Sequence, residues 1–303
     1  MNNNFTNLPK VRGKYRFNVN LSKSNWFNVG GRADILFKPK DINDLKFFLE
    51  NKDSDLPIEI IGVGSNVIIK DGGIRGVLIK LGSEFAKISH ENDILTLGAG
   101  CLCGNVALHS KIYGLSNLEF LVGIPGSIGG AIFMNAGCYG SEISNYLISL
   151  TAINQKGEII EFKNSDINFS YRNSNLDKDL LILEGKFRLK KSSTEAVAYK
   201  ISQFIKNREE SQPIRVKTGG STFKNPKNMK AWELIDKAGC RGMKLGGATM
   251  SEKHCNFMVN DGTATASDLI NLGNKVIDQV KEKTGIKLEW EIKIIGENQK
   301  EDY

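Results

Sequence analysis

The chain has 303 residues, of which 40% are hydrophobic and 25% charged, so a soluble globular protein of about two domains is expected. Lys and Arg outnumber Asp and Glu by 41 to 34, but the basic residues are scattered and not interleaved with aromatic residues, which favours an anionic small-molecule substrate over nucleic acid. The five cysteines follow neither a disulfide framework nor metal-ligand spacing, which predicts a reducing compartment and no metal site.

The sequence contains no segment typical of secretion or of membrane insertion. No apolar segment of signal-peptide length follows the first charged residues, and the apolar stretch between Leu121 and Met134 is interrupted by Pro125 and several glycines. We therefore expect a cytoplasmic protein without a membrane partner.

The first predicted elements form a small mixed unit after a polar lead-in at residues 1–26. The patterns predict a helix after an Asp41 cap, strands at 58–61, 67–69 and 76–80, a strand at 94–100 and a helix at 105–113. The remaining predicted elements are strands at 147–154, 159–162, 180–190, 256–260 and 288–295, and helices at 195–209, 231–238 and 266–284. The helix at 195–209 is expected to lead into a second domain.

Two glycine-rich stretches carry the main chemical signal, IIGVGSNVII at 60–69 and LEFLVGIPGSIGGAIFMNAG at 118–137. Glycine lets the main chain approach a ligand closely, and its peptide N–H groups can then bind an oxyanion. The first stretch lacks the third glycine of G-x-G-x-x-G and continues as a strand, so it is not a Rossmann site and by itself could be a tight hairpin. Together the two stretches predict a site for the diphosphate and ring of a flavin dinucleotide.

Six motifs occur in order along the chain: IGVGSNVII, LEFLVGIPGSIGGAIFMNAGCYG, FSYRNS, GGSTFKNP, SEKHCNFMVN and EWEIKIIG. Over about residues 26–296 their order and spacing resemble the UDP-N-acetylenolpyruvoylglucosamine reductase family, MurB, of bacterial peptidoglycan synthesis. The resemblance implies an enzyme that reduces a UDP-linked enolpyruvyl sugar, with FAD as cofactor and NADPH as electron donor.

The resemblance also implies the fold class and the domains. It implies an α+β protein with a two-lobed FAD-binding region of the vanillyl-alcohol-oxidase (PCMH) type and a separate C-terminal α+β substrate domain. On this basis residues 1–26 are the lead-in, 27–192 the FAD-binding region with lobes at 27–82 and 83–192, and 193–303 the substrate-binding domain.

Three catalytic residues follow from the matching motifs. Arg172 would bind the enolpyruvyl carboxylate, because a guanidinium can pair with a carboxylate through two parallel hydrogen bonds. Ser221 would protonate the substrate carbon after hydride transfer. Glu291 would polarise the substrate together with Arg172, and we predict a raised pKa for the Glu291 carboxyl. Without the resemblance, each has a plainer interpretation. Arg172 is a surface charge, Ser221 belongs to a turn, and Glu291 shares the solvent-facing side of a strand with Glu289 and Lys293.

The same motifs imply contacts to the cofactor and to the substrate. The expected cofactor contacts are Gly62, Gly64, Ser65, Asn66, Val67, Pro125, Gly126, Ser127, Gly129, Gly130, Asn135 and Gly137. The expected substrate contacts are Tyr171, Lys217, Asn225, His254, Asn256 and Asn260.

The chain departs from part of the family in length. Only 49 positions separate Arg172 from Ser221 (221 − 172), too few for the long tyrosine-bearing loop that one branch of the family folds over its substrate. The chain therefore resembles the shorter branch of the family. Separately, we expect a monomer. Two other functions stay open from the sequence: a flavin oxidase of the same fold that acts on a sugar or alcohol, and a protein that binds a nucleotide without turnover.

Overall fold

The structure, a computed structural model, describes residues 7–299. The first six residues of the predicted lead-in lie outside the described residues.

Residues 7–299 alternate short strands with six α-helices. The helices are α1 (Ile42–Asn51), α2 (Cys103–Ile112), α3 (Ile128–Phe133), α4 (Thr194–Ser211), α5 (Ala231–Lys237) and α6 (Ala266–Thr284). The strands are β1 (Lys14–Asn20), β2 (Arg32–Lys38), β3 (Ile58–Ile61), β4 (Val67–Ile69), β5 (Ile74–Lys80), β6 (Ile88–Glu91), β7 (Ile94–Gly98), β8 (Leu115–Ser116), β9 (Gly137–Cys138), β10 (Ser141–Glu142), β11 (Leu147–Ile153), β12 (Ile159–Lys163), β13 (Leu181–Arg188), β14 (Lys190–Lys191), β15 (Lys244–Leu245), β16 (Ala248–Met250), β17 (Met258–Asn260) and β18 (Lys293–Ile295). One four-stranded sheet has the order β1-β2-β5-β3, with β3 and β5 parallel.

The described chain forms two compact units, and each is assembled from separate segments. The first unit contains residues 7–16, Leu36–Gly62 and Gly76–Lys206, and the second contains Phe17–Ile35, Val63–Arg75 and 207–299. The contiguous domains expected from the sequence, 27–192 and 193–303, describe functional regions and stay a prediction beside these compact units. The division near Lys206 falls within α4, the helix expected to lead into the second domain.

The first unit is built on an antiparallel sheet of order β12-β11-β13-β7-β6. Its core contains the fully buried side chains of Leu97, Ile132 and Phe187. A Cβ at Gly185 in β13 would lie 2.8 Å from Ile132 Cδ1, so the missing side chain lets α3 pack closely on the sheet. This packing holds α3, which lies within the second glycine-rich stretch, against the sheet.

The second unit packs α6 against the sheet β15-β16-β17 and the parallel pair β4 and β18. Asp71, in the turn after β4, accepts hydrogen bonds from Ala266 N at 2.9 Å and Ser267 N at 2.8 Å. A carboxylate at this position satisfies orphan N–H groups and interacts favourably with the helix dipole. Asp71 therefore ties the turn after the first glycine-rich stretch to the N-terminus of α6.

The last predicted strand is much shorter than the sequence pattern indicated. The alternation predicted a strand at 288–295, but only Lys293–Ile295 is extended in the sheet. Before it, Lys224 N donates to Glu289 O at 2.9 Å and Glu291 N donates to Thr222 O at 2.9 Å, so this backbone pairs with the Ser221 segment. The interpretation of Glu289, Glu291 and Lys293 as one face of a strand is therefore wrong.

None of the helices in residues 7–299 combines the length and the apolar character that crossing a membrane requires.

Gly273 in α6 provides a test of this packing. A Cβ at Gly273 would overlap Cη2 and Cζ2 of the Trp290 indole, whereas a Cβ at Gly104 in α2 would meet no atom within 4 Å. We expect Gly273→Ala to lower the free energy of unfolding by about 1–3 kcal/mol, because a packed core does not accept an extra methyl group without displacement. Gly104→Ala should raise it by up to about 1 kcal/mol, because alanine loses less backbone entropy in a helix. Urea unfolding followed by circular dichroism measures both, and equal stability of the two variants would contradict the packing described.

Candidate functional site

The two glycine-rich stretches meet in the first unit at Gly62 and Ser127. A Cβ at Gly62 would lie 2.7 Å from Ser127 Oγ, closer than real Cβ contacts. The second stretch is held by main-chain hydrogen bonds to the segment after β7: Ile128 N donates to Cys101 O and Gly129 N donates to Ala99 O, both at 2.9 Å. The two stretches therefore come together at this position, and their contact with a cofactor stays a prediction.

The turn that follows Gly62 belongs to the second unit. Gly64 adopts a left-handed backbone conformation, with φ +69°, and its O accepts a hydrogen bond from Trp26 N at 3.0 Å. Within residues 7–299, the peptide N–H groups of Gly64, Ser65 and Asn66 donate to no protein acceptor. Successive N–H groups left open in a turn are typical of an oxyanion site.

Arg172 is held in the first unit in an uncommon backbone conformation. Its φ is +58°, which is rarely adopted by residues other than Gly, Asn or Asp. Its Nη2 donates to Gly137 O at 2.7 Å, and its guanidinium carbon lies 4.8 Å from the Tyr171 ring centroid. The buried Asn135 supports the preceding turn by donating from Nδ2 to Ser170 O at 3.0 Å. Four predicted site residues, Asn135, Gly137, Tyr171 and Arg172, are therefore brought together.

Ser221 and Glu291 lie in neighbouring backbone segments of the second unit. Ser221 forms an isolated bridge with Phe257, and the next residue, Thr222, accepts a hydrogen bond from Glu291 N at 2.9 Å. Asn66 Nδ2 donates to Glu291 O at 3.2 Å. Glu291 is thus joined by its main chain to Thr222, the residue after Ser221, and to the side-chain amide of the predicted cofactor contact Asn66.

Two of the predicted substrate contacts are buried asparagines whose amides bind the protein itself. Asn256 is 4% exposed, and it both donates to Phe223 O at 2.9 Å and accepts from Phe223 N at 3.0 Å. Asn260 is also 4% exposed, and it donates to Phe27 O at 2.6 Å and accepts from Gly262 N at 2.7 Å. Asn256 thus fixes the backbone two residues after Ser221, whereas Asn260 fixes that of Phe27 and Gly262. Their contact with substrate stays a prediction.

The other predicted substrate contacts are more accessible. Lys217 is half-buried, and its O accepts a hydrogen bond from Asn260 N at 3.0 Å. Asn225 is exposed and accepts from Ala231 N at 2.9 Å, at the start of α5. Burial lowers the pKa of His254, whose Nδ1 accepts a hydrogen bond from Asn256 N at 3.3 Å and is therefore unprotonated.

A cavity of about 530 Å³ in the second unit lies beside these residues. Its lining includes Lys217 and Asn260, which the sequence motifs indicated, and Trp26, which they did not. Trp26 lies shortly before the Gly30-Gly31 turn, and its position in the sequence pattern does not distinguish it from a core residue. Only its 41% exposure marks it as available to a ligand.

No group of three or more His, Cys, Asp or Glu side chains in the described part of the chain is arranged to hold a metal ion.

Family models match both parts of the chain. The model described as the C-terminal domain of UDP-N-acetylenolpyruvoylglucosamine reductase matches residues 212–295, and one described as an FAD binding domain matches residues 33–163. Curated proteins named UDP-N-acetylenolpyruvoylglucosamine reductase from Rickettsia rickettsii (strain Sheila Smith) and Wolbachia sp. subsp. Drosophila simulans are 50% identical, over 95% of this chain and 98% of theirs. The chain belongs to the UDP-N-acetylenolpyruvoylglucosamine reductase family.

A solved structure agrees with this family assignment. The crystal structure of UDP-N-acetylenolpyruvylglucosamine reductase (MurB) from Thermus caldophilus is 30% identical, with a TM-score of 0.81 over 93% of this chain and 98% of that one. The predicted α+β fold with an FAD-binding region and a C-terminal domain is therefore confirmed. The enzyme class, an FAD-dependent oxidoreductase, is confirmed with it.

The described residues fit FAD. In the first unit, the space beside Ser127 is open only because Gly62 has no side chain. In the second unit, the N–H groups of Gly64, Ser65 and Asn66 are left for an acceptor such as a diphosphate oxygen. The individual contacts stay predictions, since no cofactor atom fixes them.

Substitution of Gly62 tests the proximity of the two stretches. Gly62→Ala would place a methyl group against Ser127 Oγ, so we expect purified protein to retain at most about a tenth of its FAD, a loss near 1.4 kcal/mol in binding. Absorbance at 450 nm per mole of protein gives the FAD content. Gly82→Ala is the matched control, because a Cβ at Gly82 would meet nothing within 4 Å.

A double substitution separates the clash from other effects. Removing the hydroxyl with Ser127→Ala should restore part of the FAD content lost in Gly62→Ala, since it removes the nearest clashing atom. Additive losses in the double variant would mean that the two residues do not act on each other.

His254 predicts a pH dependence of stability. Its pKa is lowered in the folded protein, so the unfolded chain takes up the proton first as pH falls. Stability contributed by neutral His254 should therefore be present at pH 7 and be lost as pH falls below about 6.5. His254→Phe should reduce the loss of melting temperature between pH 7 and pH 5, while keeping a ring against Phe257. An unchanged slope would exclude this role.

Proposed function

We propose that this protein uses NADPH to reduce UDP-N-acetyl-enolpyruvoylglucosamine to UDP-N-acetylmuramate in peptidoglycan precursor synthesis. The observation that carries the proposal is 50% identity, over 95% of the chain, to proteins named for this reductase activity. Arg172, Ser221 and Glu291 support it, because each lies in one of the sequence motifs that resemble this family. We place this reaction in the cytoplasm, and we propose that a monomer carries it out.

Arg172 binds the enolpyruvyl carboxylate in this proposal. A hydrogen bond from Nη2 to Gly137 O limits the freedom of its planar guanidinium. A fixed fork loses little entropy when it pairs with a carboxylate through two hydrogen bonds. The same charge stabilises the negative charge that builds on the substrate during reduction.

Ser221 acts as the general acid. When bound, FAD would supply hydride-transfer chemistry, with the electrons coming from NADPH and the hydride going to the terminal vinyl carbon of the substrate. Electron density then accumulates on the adjacent carbon, which carries the carboxylate and the ether oxygen. That carbon is far more basic than a serine alkoxide, so transfer of the Ser221 hydroxyl proton is downhill. The product is the lactyl ether.

Glu291 polarises the substrate together with Arg172. A charged carboxylate would repel the negative charge that develops, so Glu291 acts in its protonated form, and we predict a raised pKa. Half-burial of Glu291 and the attachment of its backbone to Thr222 and Asn66 support this role. We propose further substrate contacts from Tyr171, Lys217, Asn225, His254, Asn256 and Asn260.

Ser221→Ala tests the assigned role by separating the two half-reactions. We expect NADPH to reduce the bound flavin at the wild-type rate, because that step needs no proton from Ser221. Reoxidation by the enolpyruvyl substrate should slow by about 10²–10⁴-fold, which is the usual contribution of a positioned general acid. Stopped-flow absorbance under anaerobic conditions measures both steps.

The reductive half-reaction serves as the internal control for this variant. Equal slowing of both half-reactions would refute the role of Ser221. Fast reoxidation of the wild-type protein by dioxygen, with no response to the enolpyruvyl substrate, would refute the proposed function and favour a flavin oxidase.

A further inference from the structure

Asn135 lies just after α3 in a left-handed backbone conformation, with φ +43°. Its N–H donates to Ile132 O at 3.0 Å, and the N–H of Ala136 donates to Ala131 O at 2.8 Å. These two hydrogen bonds form a Schellman motif, in which the left-handed position is usually glycine. The end of the helix therefore requires the backbone conformation of residue 135, but not its side chain.

The side chain of Asn135 joins two other segments of the first unit. Its Nδ2 donates to Ser170 O at 3.0 Å, and its Oδ1 accepts a hydrogen bond from Ser144 N at 3.0 Å. A buried amide with both ends bonded to the main chain stabilises one arrangement of these segments. The sequence motifs imply that Asn135 contacts the cofactor, but the residue is 0% exposed, so in this conformation its amide is not accessible to a ligand.

The bond to Ser170 fixes the turn that carries Arg172. Ser170 N donates to Asn173 O at 2.8 Å, and Asn173 N donates to Ser170 O at 3.1 Å, so two main-chain hydrogen bonds close the turn. Ser170 O thus accepts one hydrogen bond from Asn173 and one from Asn135, which uses both of its lone pairs. Asn135 therefore holds this turn, and with it the left-handed backbone of Arg172, against the end of α3.

The bond to Ser144 closes the hairpin that holds the Arg172 guanidinium. In this hairpin β9 pairs with β10, with Gly137 opposite Glu142, and Ser144 follows two residues later. Gly137 O accepts the hydrogen bond from Arg172 Nη2 at 2.7 Å. One amide thus fixes Arg172 at both ends, at its main chain through Ser170 and at its guanidinium through the hairpin.

We propose that Asn135 is a positioning residue that orients Arg172 toward the substrate carboxylate, without contacting FAD or the substrate itself. The proposal rests on the proposed function, in which Arg172 binds the enolpyruvyl carboxylate. A displacement of about 1 Å in a reacting or binding group can cost about 100-fold in rate, so fixing both ends of Arg172 affects the reaction directly. The plainer alternative is that Asn135 only ends α3, in which case glycine would replace it without loss.

Asn135→Gly tests the proposal, because glycine preserves the left-handed helix end and removes only the amide. Calorimetric titration of the FAD-loaded protein without NADPH measures binding in the absence of turnover. The probes are UDP-N-acetyl-enolpyruvoylglucosamine and UDP-N-acetylglucosamine, which has the same nucleotide and sugar but no carboxylate. The variant should bind the first probe about 10- to 100-fold more weakly, the usual size of a hydrogen-bonded contact with a charged group, and the second with unchanged affinity.

A double-mutant cycle shows whether the effect passes through Arg172. Arg172→Lys removes the planar fork that pairs with a carboxylate. If Asn135 acts only by positioning that fork, adding Asn135→Gly to Arg172→Lys should cause no further loss of affinity for the enolpyruvyl probe. Additive losses would mean that Asn135 acts by another route, and would overturn the proposal.

Asn164→Gly is the matched control. Asn164 Nδ2 donates to Ser144 O and Leu147 O, both at 2.7 Å, so this amide holds the Ser144 segment but has no hydrogen bond to the Arg172 turn. Its removal should leave the affinity for both probes unchanged. Asn135→Asp is the second test variant, because it keeps the acceptor for Ser144 N and loses the donor to Ser170 O, and it should show the same selective loss.

Each remaining outcome also decides the matter. Wild-type affinity of both Asn135 variants for the enolpyruvyl probe, or equal weakening of the two probes, would overturn the proposal. Loss of FAD from both variants would assign Asn135 to the cofactor, and failure of both to fold would assign it to the fold as a whole, so either result would overturn it too. The proposed function fails separately, if the wild-type protein does not oxidise NADPH with the enolpyruvyl substrate.

Discussion

Gly62 lies so close to Ser127 that a methyl group at position 62 would be 2.7 Å from the serine hydroxyl. Two segments separated by more than sixty residues can approach this closely only where one has no side chain. The segment that contains Ser127 is held in position, because the N–H groups of Ile128 and Gly129 donate hydrogen bonds to the carbonyl groups of Cys101 and Ala99. The absence of a single Cβ thus lets the two glycine-rich stretches come together in the first unit.

Two arginines, Arg172 and Arg215, adopt a backbone conformation that is uncommon for residues other than glycine and asparagine. Asparagine accounts for most of the positive-φ residues outside glycine, because its short polar side chain tolerates that conformation. Arginine has no such advantage, so the packing around Arg172 and Arg215 must impose their conformations. Each then presents a guanidinium from a backbone that cannot relax easily, which is the condition for binding an anion at low entropic cost.

Buried asparagines connect the segments of the second unit. Asn256 pairs with both main-chain groups of Phe223, and Asn260 joins Phe27 to the Gly262 turn. A buried amide that is fully hydrogen-bonded stabilises one backbone arrangement and is costly to replace, because its partners would be left unsatisfied. Through these bonds the segment that carries Ser221 is held in register with the segment that carries Trp26.

The sequence alone determined the local elements, since glycine turns, helix caps and apolar periodicity act between neighbouring residues: α6 begins and ends where the pattern predicted, at Ala266 and Thr284. The ordered motifs also determined the family, and with it Arg172, Ser221 and Glu291 as candidates. Tertiary structure decided the rest. Trp290 packs against Gly273, only Lys293–Ile295 of the last predicted strand is extended, and the amides of Asn256 and Asn260 bind the main chain. It also places Trp26 beside Arg215 and Lys217. These outcomes depend on contacts between residues far apart in the chain, which periodicity and spacing do not encode.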